Sequence, residues 1–172
     1  MDHVDRILVQ WRTERPDLDP SPMAVVGRLS RAAAAIASEL ETTFATHGID
    51  ASTFDVLATL RRQGAPHRLP PATLAQESMI TTSAVAQRLN RLEALGLVIR
   101  LPRPGDGRGK LVELTPAGQE LVDRVLPDHL ATEEALLAPL DAGERRTLSE
   151  LLGRLDPASR LAASRYPLAA SR

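Results

Sequence analysis

Between Ala72 and Leu114 the apolar residues change their period, and glycine marks the change. Ala72–Ser78 reads as a short helix and Thr82–Leu95 as a longer one closed by Gly96, with Met79, Ile80 and Thr81 as the tight turn between them. Beyond Gly96 the spacing becomes extended: Leu97–Leu101 and Lys110–Leu114 read as two short strands. The segment between them, Pro102 to Gly109, is rich in glycine and proline and reads as the tip of a β-hairpin. Helix, turn, helix and hairpin in this order predict a winged helix-turn-helix module. Aromatic residues are only 2% of the chain against 43% hydrophobic, so the core must be built from Leu, Val, Ile and Ala, which favours helix packed on helix. The expected fold class is mainly α with a small β-hairpin.

Helices are also expected on both sides of this module. His3–Arg15 places Val4, Ile7, Leu8 and Trp11 on one face, and Pro16, Pro20 and Pro22 follow it. Pro22–Thr46 carries a continuous apolar stripe through Val25, Val26, Leu29, Ala33, Ile36, Leu40 and Phe44 and stops at Gly48. Ser52 is placed to cap a helix that holds Phe54, Val56, Leu57 and Leu60 and ends near Gly64. Pro66–Pro71 reads as a loop. Thr115 and Pro116 open a helix to about Ala138, with Leu121, Val125, His129, Leu136 and Leu140 near one stripe, and Asp141 caps a last helix to about Leu155. The tail from Asp156 to Arg172 is given no structure. The expected organisation is residues 1–50 as N-terminal helices for dimerisation and a ligand pocket, 51–115 as the winged module, 116–155 as C-terminal dimerisation helices and 156–172 as tail.

The formal net charge of −1 argues, taken alone, against a nucleic-acid partner. The average conceals a division. Nine basic residues face five acidic ones between Ala51 and Leu114, which leaves twelve bases and seventeen acids for the remainder. Positive charge is thus gathered in the central module. The chain has no cysteine, so disulfides, thiolate metal sites and thiol redox sensing are excluded and a reducing cytoplasm is the expected setting. No run of about 18 apolar residues occurs and the first ten residues include Asp2 and Asp5, which speaks against a membrane span or a signal peptide. His3, His47, His67 and His129 have no metal-ligand spacing, and no phosphate loop or catalytic triad is apparent, so the chain reads as neither an enzyme nor the carrier of a cofactor.

At about 100° per residue, Thr82–Leu95 turns Val85, Leu89 and Leu92 inward and Ser83, Gln87, Asn90, Arg91 and Ala94 outward. Gln and Asn match adenine edges in the major groove, and Arg matches guanine or a phosphate. A hairpin carrying Arg103, Arg108 and Lys110 directly after such a helix is suited to straddling the DNA backbone. The candidate DNA-binding set is therefore Thr82, Ser83, Gln87, Asn90, Arg91, Arg103, Arg108 and Lys110. A winged module used only for protein contacts is a second reading, against which the polar outward face counts.

The run Phe54-Asp55-Val56-Leu57, the stretch from Ala84 to Glu93, Leu95-Gly96-Leu97-Val98, Asp106 to Lys110 and Val112 to Gly118 together resemble the MarR family over Ala51 to about Gly118. The resemblance implies a winged-helix homodimer, joined by its terminal helices, that binds a pseudo-palindromic operator as a transcription regulator of the repressor kind. Val4-Asp5-Arg6-Ile7, Trp11 and Arg15 to Met23 are further similar to a subgroup with an added N-terminal helix that answers to urate. By motif match that subgroup's ligand residues are Trp11, Asp55, Arg88 and Arg100. Gln87 and Asn90 depart from the subgroup's usual Asn and Asp, on the DNA side. Arg88 falls on the inward edge of its helix, where an arginine needs a polar partner, and Asp55 is one candidate. Alternatives stay open: Arg88 as a snorkelling or phosphate-binding side chain, Trp11 as a core residue, and a carboxylate or phenolic effector in place of urate.

Overall fold

The computed structural model describes the backbone of residues 1–79 and 82–155, and the side chains of these apart from 82 and 106–108. The turn residues Ile80 and Thr81 and the tail from Asp156 lie outside the described residues. The elements are α1 (His3–Glu14), α2 (Pro22–Thr46), α3 (Ala51–Arg61), β1 (Arg68–Leu69), α4 (Pro71–Glu77), α5 (Thr82–Ala94), β2 (Val98–Arg103), β3 (Asp106–Leu114), α6 (Pro116–Leu137) and α7 (Ala142–Leu155). Two compact units are separated at Glu133/Glu134. No helix among the described residues is long and apolar enough to cross a membrane.

In the first unit, one cluster of buried side chains forms the core. Phe54, Val56, Leu57 and Leu60 of α3 meet Leu74 of α4, Val85, Leu89 and Leu92 of α5, Val98 of β2, Val112 and Leu114 of β3, and Leu121, Val122 and Val125 of α6. Phe44 closes it from the end of α2, stacked on Phe54 with ring centroids 4.9 Å apart and on His129 at 5.5 Å. The expected stripe on α2 is therefore divided. Only its C-terminal end, Leu40 and Phe44, joins the core, while Val25, Val26, Leu29 and Ile36 are exposed in the single chain. The stripe expected on α6 is also divided. Leu121 and Val125 belong to the core of their own module, and Leu126 and Leu130 are exposed on the same helix. Further bonds tie α6 down: Arg61 to Asp123 at 2.8 Å, His47 to Asp128 at 2.9 Å and Thr43 to Thr132 at 2.7 Å.

α1 packs on α2. Asp2 and Asp5 cap each other's backbone amides at the start of α1, and Arg28 of α2 binds both carboxylates, at 2.8 and 2.6 Å. Val4 and Leu8 are buried there. Trp11, expected on the apolar face, stands 45% exposed.

The sheet is larger than the expected hairpin. Arg68 and Leu69, within the segment expected to be a loop, form a two-residue strand antiparallel to β3, giving the order β1-β3-β2. β2 and β3 also extend further toward the tip, pairing Val98 with Leu114 through to Pro102 with Lys110 before a register shift brings Arg103 opposite Asp106. Pro102 lies on an edge strand, where an absent N–H costs no interior ladder bond.

The second unit contains α7. Asp141 caps it: Oδ1 accepts from the amides of Gly143 and Glu144, and Glu144 Oε2 accepts from the Asp141 amide. Arg145 reaches back to Glu134 at 2.8 Å and to the carbonyl of Leu137. α7 has no buried residue.

Candidate nucleic-acid interface

α5 is seated by its apolar edge: Val85, Leu89 and Leu92 are buried. This leaves Ser83, Gln87, Asn90, Arg91 and Ala94 exposed, the face expected from the wheel. The start of α5 is set by α3 and α4. Asp55 Oδ2 accepts from the Met79 amide at 2.8 Å, and Arg62 donates to the carbonyl of Glu77, the last residue of α4. Asp55 thus holds the chain just after α4, on the approach to α5.

Arg88 is half-turned inward as expected, but the carboxylate opposite it belongs to Asp50, with Nη1 2.8 Å from Oδ2. Asp50 is also the N-cap of α3, its Oδ1 accepting from the Thr53 amide at 2.7 Å. The cap expected at Ser52 is therefore two residues earlier, and Ser52 lies within the helix. Burial pushes the Asp50 carboxyl up. The bonds from Thr53 and the charges of Arg88 and Arg91 outweigh it and hold the group below its ordinary value. Sequence alone offered a signal for Asp50: an acid just after the glycine that stops α2 and just before a helical pattern.

The wing is braced against α5. Arg100 of β2 donates to Glu93 at 2.5 Å and to Asn90 Oδ1 at 2.7 Å, which ties the strand to α5 by two charge-assisted bonds. Beside this clamp lies an open cleft lined by Pro71, Ala72, Ala75, Val85, Ala86, Leu89, Asn90 and Arg100. At the tip, Arg103 and Lys110 are exposed on opposite strands around Gly105, which takes φ 78°. The side chains of Thr82 and Arg108 lie outside the described residues. The base of the wing is tied to α6 through Thr115, whose hydroxyl donates to the carbonyl of Gly96 at 2.7 Å and accepts from the Gly118 amide.

The interface is thus a half-exposed polar helix face next to a basic hairpin. The four residues singled out for a ligand divide between elements: Trp11 on α1, Asp55 on α3 and bonded to the Met79 amide, Arg88 on α5 paired with Asp50, and Arg100 on β2 paired with Asn90 and Glu93.

Residues 47–109, which hold α3, both helices of the motif and most of the wing, match the MarR family model. The chain is 42% identical over 153 residues to the HTH-type transcriptional regulator PecS of Dickeya dadantii, covering 89% of this chain and 92% of that protein. The chain belongs to the MarR family. Among solved structures, this MarR-family chain resembles a MarR variant from E.coli complexed with operator DNA (TM-score 0.69, 27% identity, 86% of this chain and 98% of that one). It also resembles BpsR of Bordetella bronchiseptica, whose DNA binding is regulated by 6-hydroxynicotinic acid (TM-score 0.70, 27% identity, 76% of this chain and 91% of that one). The mainly helical, winged-helix fold expected from the sequence is that of the family, and the proteins it matches are transcriptional regulators, not enzymes.

Proposed function

We propose that the protein is a ligand-responsive transcription regulator that binds a pseudo-palindromic operator as a homodimer and is released by a planar aromatic anion such as urate. The observation that carries the DNA reading is the juxtaposition on one rigid module of the exposed Gln87, Asn90 and Arg91 with the basic wing residues Arg103 and Lys110. α5 enters the major groove, where Gln87 and Asn90 address adenine edges and Arg91 guanine or phosphate, while the tip reaches toward the minor groove. Thr82, Ser83 and Arg108 complete the contact set. Two copies place two such heads one helical turn apart, about 34–36 Å.

The effector reading draws on Arg88 and Arg100. Each guanidinium already holds a carboxylate, so each is a site for which an anionic ring can compete, with Trp11 as a stacking surface and Asp55 as the adjacent repelling charge. Competition there loosens the bonds that fix α5 against α3 and β2. A carboxylate or phenolic anion in place of urate is the second reading, for which the cleft that Arg100 borders, lined mostly by apolar side chains of α4 and α5, offers a surface.

A gel shift with the DNA flanking its own gene, titrated with urate, xanthine, salicylate and 6-hydroxynicotinic acid, tests both halves. The expected result is a retarded complex that urate dissolves. Trp11→Phe, Asp55→Asn and Arg88→Gln variants are expected to need about tenfold more urate. Release of all three at the wild-type urate concentration defeats the ligand assignment, and absence of any retarded complex defeats the regulator reading.

A further inference from the structure

Asp50 stands where three elements meet. It follows Gly48, which takes φ 70° at the end of α2, and precedes the first residue of α3. One carboxylate oxygen holds the Thr53 amide at the start of α3, and the other holds Arg88 in the middle of α5. Both ends of this bridge are fixed. Asp50 is held by its cap, and Arg88 lies between Val85, Leu89 and Leu92, all of them in the core. Arg91, on the exposed face of the same helix, also acts on the Asp50 carboxylate electrostatically.

We propose that Asp50 is a positioning residue for operator recognition: by bridging the start of α3 to Arg88, it fixes the rotation of α5 about its own axis and so aims Gln87, Asn90 and Arg91. The inference rests on the DNA-binding reading above and adds a residue that touches no base. A polar side chain discriminates between bases only when its hydrogen bonds fall near 3 Å with good angles, so a small rotation of α5 costs specific contacts before it costs phosphate contacts. The side chains of the pair are only 19% and 34% exposed, so its loss lowers stability as well as recognition, and the melting midpoint and the two duplexes read these effects separately. The sequence neighbours are suited to this arrangement: Gln87 and Asn90 flank Arg88 on the helix, so whatever turns Arg88 turns both readers.

The test uses the full-length protein, a duplex carrying the region that flanks its own gene, and a scrambled duplex of equal length and composition. Asp50→Ser retains an acceptor able to cap α3 but does not reach Arg88, and Arg88→Met retains the aliphatic stem without the charge. Affinities for both duplexes are measured by fluorescence anisotropy across a salt series. For Asp50→Ser we expect a loss of about tenfold on the promoter duplex, no loss on the scrambled one, an unchanged salt slope and a melting midpoint lowered by several degrees but still well above the assay temperature. Arg88→Met is expected to behave alike, and the double variant to be no worse than either. An unchanged preference, an equal loss on both duplexes, or additive effects in the double variant overturns the proposal. A gain on both duplexes with a steeper salt slope overturns it too, by making Arg88 a phosphate contact that Asp50 screens. Failure of the DNA-binding reading itself is seen separately, as a wild-type protein with no preference for the promoter duplex, and removes this proposal with it.

Discussion

At Gly118 the usual sign of a helix substitution is reversed. Replacing glycine by alanine inside a helix ordinarily stabilises by up to about 1 kcal/mol, because alanine loses less backbone freedom on folding. Here a Cβ would lie 2.0 Å from the carbonyl oxygen of Leu97 and 3.0 Å from Leu114 Cδ2. The obstacle is backbone at the base of the wing, in the turn whose carbonyls bond the Thr115 amide and hydroxyl, and it cannot rotate away. Gly118→Ala is therefore expected to destabilise by about 1–3 kcal/mol in chemical denaturation, and an unchanged or raised midpoint counts against this packing. Such approaches are not legible in a sequence, since the wheel places side chains on a helix and says nothing of a carbonyl from another element. The same limit explains Arg88. Its inward angle was readable at about 100° per residue, but its partner Asp50 sits just outside α3, where no helical angle applies. Asp55, with the same charge, lies within α3 where the wheel does apply, and it bonds the Met79 amide.

On the scale of elements, the helices were readable to within a residue or two because each combines a 3-to-4 apolar spacing with a stop signal, as at Gly48 and Gly96. The sheet was less so. β1 has only two residues, too few to show alternation, and β3 contains Gly107 and Gly109, which read as turn formers although the strand continues through them. The longer hairpin places Lys110 opposite Pro102 and carries the charged tip further from the core than a short wing would. Wing and helix consequently have separable duties. In the proposed function Arg103 and Lys110 are assigned to phosphates or the narrow groove, and Gln87 and Asn90 to base edges. Replacing Arg103 and Lys110 together by alanine is expected to weaken promoter and scrambled duplexes alike and to reduce the salt slope by about 2. Gln87→Ala is expected to reduce only the preference between them, by about 1–3 kcal/mol. Anisotropy titrations at several salt concentrations separate the two outcomes, and a wing variant that lost specificity with its slope intact would reverse this assignment.

For the whole molecule the strongest constraint is apolar surface that the single chain does not cover. α7 exposes Leu148, Leu151, Leu152 and Leu155, each between 39% and 47%, at spacings of three and four residues that place them along one face. Val25, Val26, Leu29 and Ile36 are likewise exposed on α2, at 39% to 63%. Each leucine brought from such exposure into an interface contributes on the order of 1 kcal/mol, and a two-fold axis doubles every contact, because the same patch serves both copies. Covering these faces with a second copy reaches the roughly 800 Å² per partner of a stable interface far more readily than any polar surface of this chain. In the proposed function a dimer also serves recognition. One head contacts too few bases to find a site among many competitors, while two linked heads multiply their affinities through a high effective concentration. Leu148→Glu combined with Leu151→Glu places four like charges against each other in a symmetric interface and is expected to give monomers in sedimentation at micromolar concentration. Operator affinity should then fall by on the order of a hundredfold, while weak binding to scrambled DNA persists, because each protomer retains its wing and its α5 face. The wild-type melting midpoint should rise with protein concentration and that of the variant should not. A variant that sediments as a dimer and still prefers its promoter would place the pairing surface elsewhere than on α7.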